Sequence, residues 1–277
     1  MAAGIDPARA LQEVYGLSLS SPFALPGAGV ATSALADLTI AEGPATLPDA
    51  AVPRGPYRQL GEQIELTIPA AGRFLLAGPG RLEVAPKLGV ETEVLTAFLV
   101  ASGLPMLLWQ RGGLLLHASG VELDGKAIAI AGPSGVGKST LARALLERGG
   151  RLIGDDTLWL TDPANPALAA GLSGGQFLRN GDELRFAVLP LQQRAEVTVL
   201  DAVAILSRGA PGPSRLRPIE AVQSLLKLRH RPALPAMLGQ EAAVLAHCTR
   251  LAAAVPIFTL GLEEGAIERA ADALAAI

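Results

Sequence analysis

Gly132-Pro133-Ser134-Gly135-Val136-Gly137-Lys138-Ser139 fits the pattern G-x-x-x-x-G-K-[ST] at every fixed position. Each fixed residue answers a demand of polyphosphate binding. Glycines let successive backbone N–H groups turn inward around phosphate oxygens. A helix opening at the loop adds the positive end of its dipole. Lys138 brings a point charge to the β and γ phosphates, and the Ser139 hydroxyl is a ligand for the Mg²⁺ that bridges them. The binding set runs from Gly132 through Thr140. Lysine occurs only at Lys87, Lys126, Lys138 and Lys227, so a chance match is on the order of one per cent or less. Mg-ATP is the expected ligand.

Asp155-Asp156 follows about seventeen residues after Lys138. An acidic residue at that distance can complete the Mg²⁺ shell begun by Ser139. Two adjacent carboxylates allow one to hold the metal and the other to accept a proton from an attacking hydroxyl. A turn pair that caps local N–H groups is the plainer alternative. His117 ends an apolar run upstream of the loop, where a neutral imidazole could hydrogen-bond or shuttle a proton near the γ phosphate. A lone histidine on an apolar strand is more often structural.

The elements around these residues set their positions. The alternation in Ala127-Ile128-Ala129-Ile130-Ala131 predicts a strand running into the loop. Asp124-Gly125 predicts a tight hairpin turn, within a hairpin spanning residues 114–131. A helix is expected over 138–148, stopped by Gly149-Gly150, then a short strand, 151–154, ending at the acidic pair. Further expectations are a helix over 91–102, a strand over 197–206 with Asp201 inside it, a helix opened by Pro218 and running to 229, a helix over 241–253, a strand over 257–260 and a terminal helix from 263. Residues 1–55 are broken by Pro22, Pro26, Pro44, Pro48, Pro53 and Pro56, which leaves room only for short strands. Strands are expected at 63–68, 73–77 and 81–85. The division read from this pattern is a small, mostly β unit over 1–90 and an α/β P-loop unit over 91–277.

Composition narrows the function classes. The formal net charge is −3, with no basic surplus to neutralise a phosphodiester backbone, so nucleic acid is not an expected partner. The apolar stretch 95–109 is short for a bilayer and contains Gly103 and Pro105, which favours a core helix and its exit over a membrane span. No secretory signal is visible at the start. The single cysteine, Cys248, rules out an internal disulfide and reads as a small buried hydrophobe. A cytoplasmic protein is the expectation.

Taken together, His117-Ala118-Ser119-Gly120 with the Asp124-Gly125 turn, Gly132 to Ala142, and Glu147-Arg148-Gly149-Gly150 continuing to Asp155-Asp156 resemble the catalytic domain of HPr serine kinase/phosphorylase. About forty residues carry the resemblance. Gln110-Arg111-Gly112-Gly113 and Val255-Pro256-Ile257-Phe258 are similar to a shorter branch, the HPr-kinase-like proteins of bacterial peptide-modification clusters, which include kinases of lasso-peptide precursors. The resemblance implies a fold related to phosphoenolpyruvate carboxykinase and phosphoryl transfer to a serine of a peptide or small protein. It also implies an active-site role for His117, with one aspartate of the pair as base and the other beside the metal. The Gly-Arg-Asn signature of that family is not found: Arg179-Asn180-Gly181 is preceded by Leu178. Phosphorylase activity, HPr as substrate and the family's homo-oligomer are therefore not carried over, and a homo-oligomer stays an open expectation. Arg179, Arg185, Arg229 and Arg231 are the candidates for stabilising transition-state charge. Two other readings remain, a kinase of a small metabolite alcohol and an ATP-gated binding module with little turnover.

Overall fold

The structure, a computed structural model, describes residues 11–180, 183–208, 212–262 and 266–276, with side chains described at all of these except 178–180 and 183–185. The molecule is mixed α/β. A six-stranded sheet carries the loop. Its strands lie in the order Arg151–Gly154, Ala118–Leu123, Lys126–Ala131, Ala202–Ser207, Ile257–Gly261, Ser214–Arg215. Lys126–Ala131 runs parallel to Ala202–Ser207, which runs parallel to Ile257–Gly261. Five of the six residues in Lys126–Ala131 are buried, as befits a parallel strand covered on both faces. The strand delivers the loop to its carboxyl end, where open α/β sheets place ligands. Helix Lys138–Glu147 then packs Leu141, Leu145 and Leu146 against Val121, Ile130 and Leu152 of this sheet and Leu274 of helix Ile267–Ala275.

The hairpin before the loop is shorter than its sequence suggested. Ala118–Leu123 pairs antiparallel with Lys126–Ala131 around Asp124 and Gly125, whose φ values of 51° and 76° make the twisted two-residue turn. Leu114–Leu116 belongs to a second sheet, ordered Leu114–Leu116, Leu158–Leu160, Leu168–Ala170, Thr198–Val199. His117 is the residue at which the chain crosses from one sheet to the other. The expected strand over 197–206 is likewise two strands in two sheets. Its break is at Asp201, whose Oδ2 accepts from Ala127 N at 2.7 Å while its own N–H donates to Ala127 O at 2.8 Å.

The amino-terminal part forms a nine-stranded mixed sheet from Gln12–Val14 to Arg81–Pro86. Gln63–Ile68, Gly72–Gly78 and Arg81–Pro86, where strands are expected at 63–68, 73–77 and 81–85, pair as an antiparallel meander. Glu65, expected on a wet face, is buried: the loop around Leu47 covers it, and its Oε2 accepts from Leu47 N at 2.7 Å and Arg58 at 3.2 Å. The apolar face of this sheet joins one continuous core with the second sheet and helix Glu241–Ala254.

The stretch read as a core helix and its exit is helical throughout, as Thr92–Phe98, a π-turn Leu99–Gly103 and Leu104–Arg111. Its cause is Pro105. Proline cannot donate to the carbonyl four residues back and crowds it, and the π-turn absorbs the crowding. The released Ala101 carbonyl is taken by the Arg231 guanidinium, at 2.9 Å from one terminal nitrogen and 3.2 Å from Nε. Thr92–Arg111 is long and apolar enough to cross a membrane by length and composition, and 72% of its apolar window is buried inside the molecule.

Candidate active site

Gly137 starts the loop helix at φ 109°, a conformation that L side chains rarely adopt, and a Cβ there would lie 2.6 Å from Leu262 Cδ2. Glycine at this point lets the backbone turn directly into Lys138. The lysine side chain folds back along the loop. Its ammonium donates to Gly132 O and Pro133 O, both at 3.0 Å, and lies 2.9 Å from His117 Nε2. Burial pulls the Lys138 pKa down, and the charges of Asp156 and Asp155 oppose that pull. Because an ammonium can only donate, His117 Nε2 must accept, which leaves the ring proton on Nδ1. That nitrogen faces Asp156, at 3.0 Å from its backbone carbonyl and 3.3 Å from Oδ1.

The two adjacent aspartates have different surroundings. Asp155 is buried at the end of strand Arg151–Gly154. Its Oδ1 accepts from Ser119 at 2.5 Å and from Ser139 at 2.9 Å, and its Oδ2 from Phe177 N at 3.2 Å. Burial pushes its pKa up, while the Ser119 and Ser139 hydroxyls favour the charged form. Ser139 and Asp155 thus converge as two hard oxygen donors beside the loop. That set suits Mg²⁺, which takes one or two protein oxygens and completes its shell with phosphate and water.

Asp156 adopts φ 67°, uncommon for a residue with a side chain. Its carboxylate lies among imidazoles instead of hydroxyls. His117 is on one side, and His230 Nε2 is 3.8 Å from Oδ2 on the other. The two rings stack with centroids 5.8 Å apart and planes 20° apart. Sequence reasoning did not find His230, which lies over a hundred residues downstream of His117 in a turn without periodicity. Backbone pairing brings it there. His117 N donates to Leu228 O, His230 N to Leu115 O, each at 2.9 Å, and Trp109 Nε1 to His230 O at 2.9 Å. Burial lowers the His230 pKa to about 4, with Asp156 opposing. One ligand atom each from His117, Asp156 and His230 lie within 4.8 Å of one another, which by spacing alone could hold a cation.

A groove of about 300 Å³ opens beside the loop between His117, Pro133 and Ser134 on one side and Leu228, Arg229 and His230 on the other. Of the four candidate arginines, Arg229 borders this groove. Arg231 does not serve it: its guanidinium is engaged by Ala101 O, Ser102 Oγ and the Tyr57 hydroxyl. The side chains of Arg179 and Arg185 lie outside the described residues. Cys248 is fully buried, and burial pushes its thiol up to about 12.

No protein-family profile matches the chain. A stretch of 69 residues, 25% of the chain, is 41% identical to an HPr kinase/phosphorylase of Chloroherpeton thalassium. The match covers 20% of that protein, so the chain spans about a fifth of the length of the curated relative it matches. Over this part the chain has distant homology to HPr kinase/phosphorylases. Among solved structures, an HPr(Ser) kinase/phosphatase from Coxiella burnetii aligns at 17% identity and a TM-score of 0.38, over 58% of this chain and 94% of that one.

Proposed function

We propose that this chain is an ATP-dependent serine kinase whose acceptor is a peptide or small protein, a lasso-peptide precursor being the specific candidate, and that it works in the cytoplasm. The observation that carries the reading is the division of labour within Asp155-Asp156. One carboxylate is fixed by Ser139 and Ser119 where Mg²⁺ would sit. The other is turned by its left-handed backbone toward His117 and His230, the two histidines that line the groove. A module that only bound nucleotide would have no use for the second. The partial homology to HPr kinase/phosphorylases points to the same chemistry.

In the forward reaction a serine Oγ of the acceptor attacks the γ phosphorus. The new O–P bond forms as the bond from the γ phosphorus to the β–γ bridging oxygen breaks, and ADP leaves with that electron pair. Asp156 Oδ takes the serine proton. Lys138 and the loop N–H groups neutralise the charge on the phosphates, and His117 ties Lys138 to Asp156 through its two nitrogens. Mg²⁺ held by Ser139 and Asp155 would supply charge neutralisation across the β and γ phosphates.

The test offers the protein Mg-ATP with serine-containing precursor peptides in one arm and small alcohols in the other, and locates the phosphate by mass spectrometry. Phosphoserine on a peptide is the expected result. Transfer to small alcohols alone would make the chain a metabolite kinase. Nucleotide binding without transfer to either acceptor would make it a gated binding module.

A further inference from the structure

The first hairpin of the amino-terminal sheet reaches the site. Val14-Tyr15-Gly16-Leu17 turns between strands Gln12–Val14 and Leu17–Ser20, with Tyr15 at φ 55° and Gly16 at φ 71°. The turn drives the Tyr15 side chain into the core, where it is 3% exposed and its hydroxyl meets the Thr157 side chain. Thr157 is itself 2% exposed, and its Oγ1 is 3.0 Å from His230 Nδ1. His230 Nε2 then faces Asp156 Oδ2.

The direction of this chain of contacts follows from what each group can give. The buried Thr157 hydroxyl must place its proton on an acceptor, and His230 Nδ1 is the one within hydrogen-bond distance, at 3.0 Å. A ring that accepts at Nδ1 carries its proton on Nε2, directed at the Asp156 carboxylate. We infer that His230 is a positioning residue for Asp156, and that the buried Thr157 hydroxyl fixes its tautomer, so that a contact behind the ring orders the acceptor side of the site.

The same polarity bears on the trio His117, Asp156 and His230 as a cation site. A metal would need the lone pair of His230 Nε2 and that of His117 Nδ1. The Thr157 contact at one ring and the Lys138 contact at the other put protons on both nitrogens. The inference uses Asp156 as the proposed function does, so one readout must not depend on turnover.

That readout is long-range ¹H–¹⁵N correlation NMR on the full chain with ¹⁵N-histidine, which has three histidines to assign. The expected spectrum at neutral pH shows His230 as the Nε2–H tautomer, with that signature lost or mixed in Thr157→Val. The Nδ1–H tautomer, or a His230 signal unchanged in Thr157→Val, would overturn the relay even if the protein phosphorylates nothing. Titration with Mn²⁺ or Zn²⁺ that bleaches or shifts both His117 and His230 at stoichiometric metal would overturn it too, in favour of a metal site.

Where transfer is measurable, kinetics add the functional half. His230→Phe should lower kcat about 10- to 100-fold, the scale of a misplaced catalytic group, with the KM for ATP little changed. His230→Gln, which returns an N–H near the Nε2 position, should recover most of it. Thr157→Val should cost less, and in His230→Phe it should cost nothing further. Equal losses in the Phe and Gln variants, or additive losses in the double variant, would reduce His230 and Thr157 to packing.

Discussion

The two sides of the site, centred on adjacent residues, are built from different parts of the chain. The Asp155 side is local: Ser119, Ser139 and the strand end lie within about forty residues of one another, and hydroxyls and a backbone N–H satisfy the carboxylate. The Asp156 side is assembled from afar. His117 stands at a crossing between sheets, His230 comes from a turn over a hundred residues later, and Tyr15 from the first hairpin. Under the proposed function, metal and phosphate handling would need only the loop and its neighbours, whereas the side proposed to face the acceptor would draw on distant parts of the chain. Variation in the acceptor would therefore be met by change far from the loop.

The largest expected effect separates the two carboxylates. Asp156→Asn should cut phosphoryl transfer by about 10²- to 10⁴-fold, the range for a general base, while Mg-ATP affinity by calorimetry stays close to wild type. Asp155→Asn should instead weaken Mg-dependent nucleotide binding itself. If both variants lose nucleotide equally, the two sides are not distinct. Next in size, Lys138→Ala should lower transfer by about 10²- to 10³-fold through lost charge stabilisation. Ser119→Ala, which removes a partner of Asp155 without touching Asp156, should raise the Mg²⁺ needed for half-maximal activity by about 10-fold, as for other outer-shell partners.

A smaller effect belongs to the arginines. Arg231→Ala should cost about 2 kcal/mol of stability, because it strips a charged donor from the half-buried Ala101 carbonyl and the buried Ser102 hydroxyl. Well below its melting temperature the variant should keep its rate of transfer. A rate loss without a change in denaturation midpoint would return Arg231 to the site.

The smallest is a pH dependence of stability. His230 titrates at about 4 when folded, against an ordinary 6.5. The unfolded chain thus binds a proton that the folded chain refuses, so stability falls as pH drops from 6.5 towards 4 and levels off below. His247 is pulled down by burial as well and acts with the same sign. His230→Gln should therefore flatten this slope only in part, as followed by denaturant midpoints across that window. An unchanged slope would mean that His230 is hydrated and does not hold the Asp156 side in place.

Legibility in the sequence follows the same division. The loop, its strand and helix, and Asp155-Asp156 could be read because their chemistry demands fixed spacing along one stretch of chain. Gln63–Ile68, whose polar and apolar residues alternate, was legible for a similar local reason. What long-range pairing decides was not. Leu114–Leu116 and Ala118–Leu123 look like one strand until the second sheet claims the first of them. The Ala101 carbonyl, which Pro105 cannot serve, is met by Arg231, a residue that charge alone made a catalytic candidate. The hairpin Gly175–Asn180 with Glu183–Val188, which brings Phe177 N to Asp155, lay in a stretch that showed no clear period. For His230 the available signal was composition: with three histidines in 277 residues, each merits a test for a site.

The most direct test of the central claim is a single-turnover assay with γ-labelled ATP, Mg²⁺ and a serine-containing precursor peptide, comparing wild type with Asp156→Asn at matched nucleotide occupancy. Label on the peptide serine is expected with wild type, and almost none with Asp156→Asn although the nucleotide is bound. Undiminished label in Asp156→Asn, or no label on any peptide with wild type saturated in Mg-ATP, would contradict it.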